Sequence, residues 1–154
     1  MTRWGLRSFW RWIETNNINS DMEINTTILD DLTAQAKASP RLRMNMDLRN
    51  SAEDTSQRML NAIEPGSEVP IHRHRKTSET MVVLRGRVLE EYYDDERNCV
   101  AQIEVSPCGS VSALNIPAGV WHSLKALESG TVIVEFKDGA YDPVGTEEFL
   151  AVGE

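Results

Sequence analysis

Residues 65–86 read PGSEVPIHRHRKTSETMVVLRG, and the fold turns on this stretch. It opens on a Pro65-Gly66 turn signal and then carries His72 and His74, one residue apart. On an extended strand, residues i and i+2 point to the same face, so the two imidazoles project together. Four residues, Arg75 to Ser78, are enough for a hairpin turn. The run ETMVVLR that follows is rich in β-branched and apolar residues and reads as the next strand. Its first residue, Glu79, comes back beside the imidazoles, and Gly86 ends it.

The same texture continues on both sides. Gln57–Ile63, Val69–His74, Arg87–Tyr93, Val100–Val105, Val111–Ile116, Val120–Ala126 and Thr131–Lys137 are short runs of similar composition. Turn residues part them: Gly86, Asp94 to Asn98, Pro107-Cys108-Gly109, Pro117-Ala118-Gly119 and Ser129-Gly130. About eight short strands at this spacing predict an antiparallel sandwich or barrel, such as a jelly roll. Ahead of them, TILDDLTAQAKA places Ile28, Leu29, Leu32 and Ala36 at helical spacing. A short helix over Thr27–Ala38 is expected, capped by Thr26 or Thr27 and stopped by Ser39-Pro40. Residues 41–56 read as polar and irregular, and the tail from Gly139 as a turn-rich segment packed over one end.

Composition bounds the function. The chain has 154 residues, enough for one domain with its own core. Its formal charge is −8 and its pI is about 4.9. That field repels a phosphate backbone, so no nucleic-acid partner is expected. Cys99 and Cys108 form no CxxC and read as free thiols. No run is apolar and long enough to cross a bilayer, and a cytoplasmic location is expected. Residues 1–20, MTRWGLRSFWRWIETNNINS, alternate arginines with aromatic residues. Three readings stand: an amphipathic helix on a membrane surface, an extension upstream of a start at Met22, or a helix packed on the barrel or on a partner subunit.

The chain contains three histidines. The third, His122, follows Pro117-Ala118-Gly119 and opens another strand. Three imidazoles and a carboxylate, His72, His74, His122 and Glu79, form a ligand set for one borderline divalent metal: Fe, Mn, Co, Ni or Zn. Four protein ligands saturate tetrahedral zinc, whereas an octahedral ion keeps two positions for water, substrate or dioxygen. With one carboxylate the centre carries a charge of about +1, which favours an anionic or bidentate oxygen ligand.

The spacing resembles the cupin motifs. Gly66, five residues, His72-Arg73-His74, four residues, Glu79, six residues and Gly86 match the first motif at each anchor. Pro117-Ala118-Gly119, two residues and His122 match the centre of the second. Two departures touch the second motif. Seven residues part Gly109 from Pro117, where the pattern has five, and Ala126 stands where asparagine is common. More closely, the chain resembles the WbuC family of cupin-fold metalloproteins of surface-polysaccharide and O-antigen gene clusters. The resemblance rests on SPRLRMN (39–45), QRMLNAIEPG (57–66), HRHRKTSETMVVLRG (72–86), IPAGVWHSLKALESGTVIVEFKDGAYDP (116–143) and EEF (147–149). It implies a mainly β cupin double-stranded β-helix, or jelly-roll barrel, with a short N-terminal helix, and cupin barrels often form homodimers. The expected division is an extension over 1–21, a lead-in over 22–50 and the barrel over 51–154.

Strand parity predicts what surrounds the metal. Met81, Val83 and Arg85 share the face of Glu79, and Val120, Leu124 and Ala126 that of His122. Trp121 has the opposite parity and is expected between sheet and helix. Asp94 to Arg97 read as a solvated hairpin tip. Candidate substrate-binding residues are Arg41, Asn45, Gln57, Asn61, Lys76 and Glu135. The function this supports is metal-dependent catalysis on a small oxygen-rich molecule: isomerisation or epimerisation, hydrolysis, or dioxygen chemistry. The resemblance makes a sugar or sugar nucleotide the candidate substrate. The alternatives are a non-catalytic cupin that binds a small ligand through its metal, and a metal-free His-carboxylate epimerase, against which the intact ligand set argues.

Overall fold

A computed structural model describes residues 23–141 and 147–149. The aromatic-basic segment 1–20 and the residues around the last strand lie outside this range. Helix α1 spans Thr26–Ala38, and ten strands follow: β1 Arg43–Asp47, β2 Gln57–Ile63, β3 His72–His74, β4 Glu79–Arg85, β5 Val88–Tyr93, β6 Cys99–Val105, β7 Ala113–Ile116, β8 Trp121–Ala126, β9 Thr131–Lys137 and β10 Glu147–Phe149.

The strands form two five-stranded sheets, ordered β1-β2-β9-β4-β7 and β10-β3-β8-β5-β6. Their pairs are antiparallel throughout. Among the described residues this is the expected mainly β jelly roll with one short helix. Alternation explains how it holds together. Ile63, Met81, Val83 and Ile133 of the first sheet meet Val88, Val105, Leu124 and Ala126 of the second in the inner core. The residues between them, Leu60, Ala62, Val132 and Val134, turn outward and are covered by Leu29, Leu32 and Ala36 of α1. The helix therefore seals one sheet face while the sandwich interior stays free for a site.

The helix begins one residue earlier than its sequence suggests. Asn25 is the N-cap, its Oδ1 accepting from the Ile28 N–H at 3.2 Å, so neither Thr26 nor Thr27 caps it. At the other end the Ser39 N–H donates to the Gln35 and Ala36 carbonyls.

Two strands lie where the sequence reads as irregular or turn-rich. In β1, Met44 and Met46 pack towards the helix cluster, so RMNMD alternates with period two. The tail supplies β10, which pairs with β3.

Two parity expectations are corrected. Arg85 does not face the interior. The β4–β9 register shifts between Val83 and Arg85, and this bulge turns Arg85 to the helix side of the sheet. There its guanidinium donates to Asp30 Oδ1 (2.5 Å), Thr33 Oγ1 (2.8 Å) and the Leu29 carbonyl (3.0 Å). Trp121 is buried, but on the second sheet, away from the helix. Arg73 lies over its ring at 4.2 Å, and its Nε1–H donates to Asp95 Oδ1 at 2.8 Å. Asp95 of the hairpin tip thus has a structural role, contacting Trp121 and, at 3.8 Å, Arg73.

Candidate metal centre and cleft

The cluster is assembled from both sheets. His72 and His74 lie on β3 and His122 on β8 of one sheet, while Glu79 opens β4 of the other. The four-residue turn after His74 is therefore a crossing between sheets and not a ladder hairpin. His72 and His122 are direct register partners, with ring centroids 4.3 Å apart. His74 stands 5.1 Å from His72 and 5.7 Å from His122 by the same measure. One ring nitrogen from each of the three can be chosen so that all lie within 4.8 Å of one another. The turn before β8 is tied to the same place. Gly119 has φ +83°, and its N–H donates to the His74 carbonyl at 2.8 Å.

The backbone sets the tautomers. His72 Nδ1 lies 2.9 Å from the Pro70 carbonyl, and His122 Nδ1 lies 2.9 Å from the Val120 carbonyl. A carbonyl can only accept, so Nδ1 carries the proton and Nε2 keeps its lone pair. Among the described residues, the buried His122 Nε2 has no hydrogen-bond partner. Burial, and secondarily the neighbouring imidazoles, lower the His72 pKa to about 4; burial also lowers that of His122. Both rings are neutral donors at ordinary pH. Glu79 Oε2 lies 3.0 Å from His74 Nε2 and 3.4 Å from Lys137 Nζ. Burial opposes its ionisation, but the hydrogen bond with His74 and the charge of Lys137 outweigh it and hold the carboxyl below its usual range. The buried His122 and the half-buried His72, each with a directed Nε2 lone pair, fit a divalent metal together with His74 and an ionised carboxylate.

Beside the cluster a cleft of about 510 Å³ runs along the inner face of the first sheet. Its lining brings His72, Glu79 and His122 together with Arg41, Asn45, Gln57, Asn61 and Glu135. His74 is not among the cleft-lining residues and lies deeper, 4% exposed. Lys76, in the turn between β3 and β4, is exposed and does not line the cleft. Glu135 faces inward, and its Oε2 accepts from Asn61 Nδ2 at 2.8 Å.

Two interior groups escaped the sequence reading. Lys137 shares the face of Glu135, and extending that parity by one step finds it. Glu90 is fully buried, and among the described residues neither carboxyl oxygen has a hydrogen-bond partner. Burial, then the charges of Glu79, Glu135 and Glu91, push its pKa up to about 9. Its doublet with Glu91 masks it, because one of the two must face in and sequence does not say which.

The solved structures that share this fold include CapF, KdgF and oxalate oxidase. CapF from Staphylococcus aureus, a capsular polysaccharide assembling protein, is 21% identical with a TM-score of 0.60, over 70% of this chain and 30% of its own. KdgF from Halomonas sp. is 14% identical with a TM-score of 0.52, over 68% and 84%. Oxalate oxidase, solved with the substrate analogue glycolate, is 17% identical with a TM-score of 0.58, over 74% and 58%. The chain thus spans about a third of CapF, and likeness at these identities establishes the cupin jelly-roll fold alone. No curated protein matches the chain. One family model does, over residues 24–105, a span that runs from α1 to the end of β6 and includes His72, His74 and Glu79. On that match the chain belongs to the family described as Domain of unknown function (DUF6016).

Proposed function

We propose that this protein is a metal-dependent enzyme acting on a small, oxygen-rich molecule, with His72, His74, Glu79 and His122 holding one divalent ion. The observation that carries the reading is the buried His122 Nε2. Among the described residues its lone pair meets no donor, its ring is fixed through Nδ1, and His72 and His74 lie next to it. Leaving such a group unsatisfied is costly, and a cation removes the cost. A metal bound there would act as a Lewis acid on substrate oxygen or as a dioxygen-binding centre. The chain's own residues do the rest. Val120 and Pro70 carbonyls hold the imidazoles in one tautomer, and Leu124, Ile63 and Met59 exclude water from the cleft wall. Gln57, Asn61 and Glu135 offer hydrogen bonds to hydroxyl groups.

The motifs quoted for the WbuC family support placing the protein with it among cupins, and a sugar or sugar nucleotide of surface-polysaccharide biosynthesis as the substrate. A cytoplasmic homodimer paired through a sheet edge belongs to the same proposal. Among the described residues, no helix is long and apolar enough to cross a membrane.

The test is metal analysis of protein purified without chelator. Wild type should hold about one ion per chain, and His74→Ala should hold none while keeping its β-type circular dichroism. Wild type without stoichiometric metal would sink the reading. Metal-loaded protein is then incubated with a panel of nucleotide sugars and followed by mass spectrometry. Saturable thermal stabilisation without product would replace the enzyme with a binding protein.

A further inference from the structure

Among the described residues, five arginines have carboxylate partners. Arg49 pairs with Asp47, Arg58 with Asp54, Arg73 with Asp95, Arg85 with Asp30, and Arg87 with Glu104 and Glu128. Arg41 and Arg43 are different. Both line the cleft, and among the described residues neither guanidinium has a carboxylate partner. Arg43 Nη1 donates to the Glu68 carbonyl, which positions the group without neutralising it. Burial of Arg43, and then the adjacent charge of Arg41, lower the Arg43 pKa, so the half-buried Arg43 and the exposed Arg41 repel each other. Between them Leu42 is held at φ 54°, a left-handed backbone rare for leucine. That conformation is fixed from both sides. The Leu42 N–H donates to Ser39 O, and its carbonyl accepts from the Glu64 N–H, each at 2.9 Å. Two like charges are costly to hold together, and an oxyanion seated between the guanidiniums offsets that cost.

The register places this pair relative to the histidines. Arg43 pairs with Ile63 at one end of β2, while Gln57 at the other end pairs with Lys137, itself the partner of Glu79. Six residues of strand separate the two rungs, about 20 Å of backbone. The polar groups between them, Asn61 and Glu135, can bond hydroxyls but not a full anionic charge.

Resting on the reading of the cluster as the reactive centre, we infer that the cleft takes an elongated phosphate or diphosphate ester of a polyhydroxylated molecule, with its phosphate oxygens on Arg41 and Arg43 and its hydroxyl-bearing end towards the histidines. A 510 Å³ cleft holds a ligand of that size. Arginine forks suit phosphate oxygens, and the net −8 of the chain means that this recognition is local and not long-range attraction.

The probes are inorganic pyrophosphate and UDP-glucose, with free glucose and malonate as controls, at constant ionic strength. Binding is followed by thermal shift and calorimetry on the metal-loaded full chain. Wild type should bind pyrophosphate and UDP-glucose saturably and glucose far more weakly. The double variant Arg41→Gln/Arg43→Gln should lose at least roughly tenfold in affinity for both phosphate probes while keeping its metal content. His74→Ala should lose metal but still bind pyrophosphate. If wild type binds neither phosphate probe, if the double variant binds them as wild type does, or if malonate binds as tightly as pyrophosphate, the assignment is overturned. Those results leave the metal reading standing, because that reading fails on metal content alone.

Discussion

Lys137 Nζ lies 3.4 Å from Glu79 Oε2, and both side chains are almost fully buried. A cation of the chain's own thus stands beside the carboxylate of the proposed metal site. Removing one partner of a buried pair leaves the other charge uncompensated. Lys137→Met should therefore destabilise the chelated protein by about 3 kcal/mol in urea unfolding. Because the ammonium also repels an incoming cation, the same variant should bind divalent metal more tightly. Unchanged stability together with weaker metal binding would rule out this role.

The acid limb of stability follows from the imidazoles. His72 ordinarily titrates near 6.5 and in the fold near 4. Between those values the unfolded chain holds more protons than the folded one, so stability falls as pH drops through that window. The His122 shift has the same direction and adds to it. Each group contributes a slope of at most about 1.4 kcal/mol per pH unit. Urea midpoints of chelated protein at several values between pH 7.5 and 4 should trace this decline, and His72→Gln should make it shallower. A flat profile would contradict the burial of neutral rings.

Glu90 sets the opposite limb. Its carboxyl, ordinarily near 4.5, is pushed up to about 9 in the fold. Here the folded chain keeps a proton that the unfolded chain releases, so stability is fully present below about pH 4.5 and lost as pH rises towards 9. Glu90→Gln should remove this alkaline decline, worth up to about 1.4 kcal/mol per pH unit in wild type. Parallel stability profiles for the two proteins between pH 6 and 9 would sink the assignment.

Gly86 tests the turn that closes the first motif. Its φ is +78°, and an added Cβ would lie 2.2 Å from Thr131 Oγ1 and 2.8 Å from Thr131 Cα. The second contact is backbone and has little room to yield. Gly86→Ala should cost about 3 kcal/mol from overpacking and left-handed strain together. Thermal unfolding decides it: a melting temperature within a degree of wild type would refute the close approach.

Much of this molecule was legible in its sequence because alternation is a strong signal. Gln57–Ile63, Glu79–Arg85 and Thr131–Lys137 are strands at the bounds their composition suggests. The histidine pair, the turn and the glutamate reported one another through spacing. What escaped has physical causes. Parity could not foresee a bulge, so Arg85 was expected inside although it anchors the helix. Trp121 was given the helix as its cover, yet the helix lies on the other sheet and an arginine covers the ring instead. The edge strand Arg43–Asp47 is short and half polar, so its period of two was masked. Lys137 and Glu90 are charged residues in the interior, and burial of that kind depends on partners from distant strands.

The crossing between His74 and Glu79 has one more consequence. These residues are five positions apart in the chain but belong to opposite leaves of the sandwich, and they meet at 3.0 Å. An ion shared between them would act as a clasp across two leaves whose inner faces meet in apolar contact. Loading the clasp would then slow amide hydrogen exchange in both leaves at once, including strands such as β7 and β6 that supply no ligand. The cluster would be a gauge of how tightly the sandwich is shut.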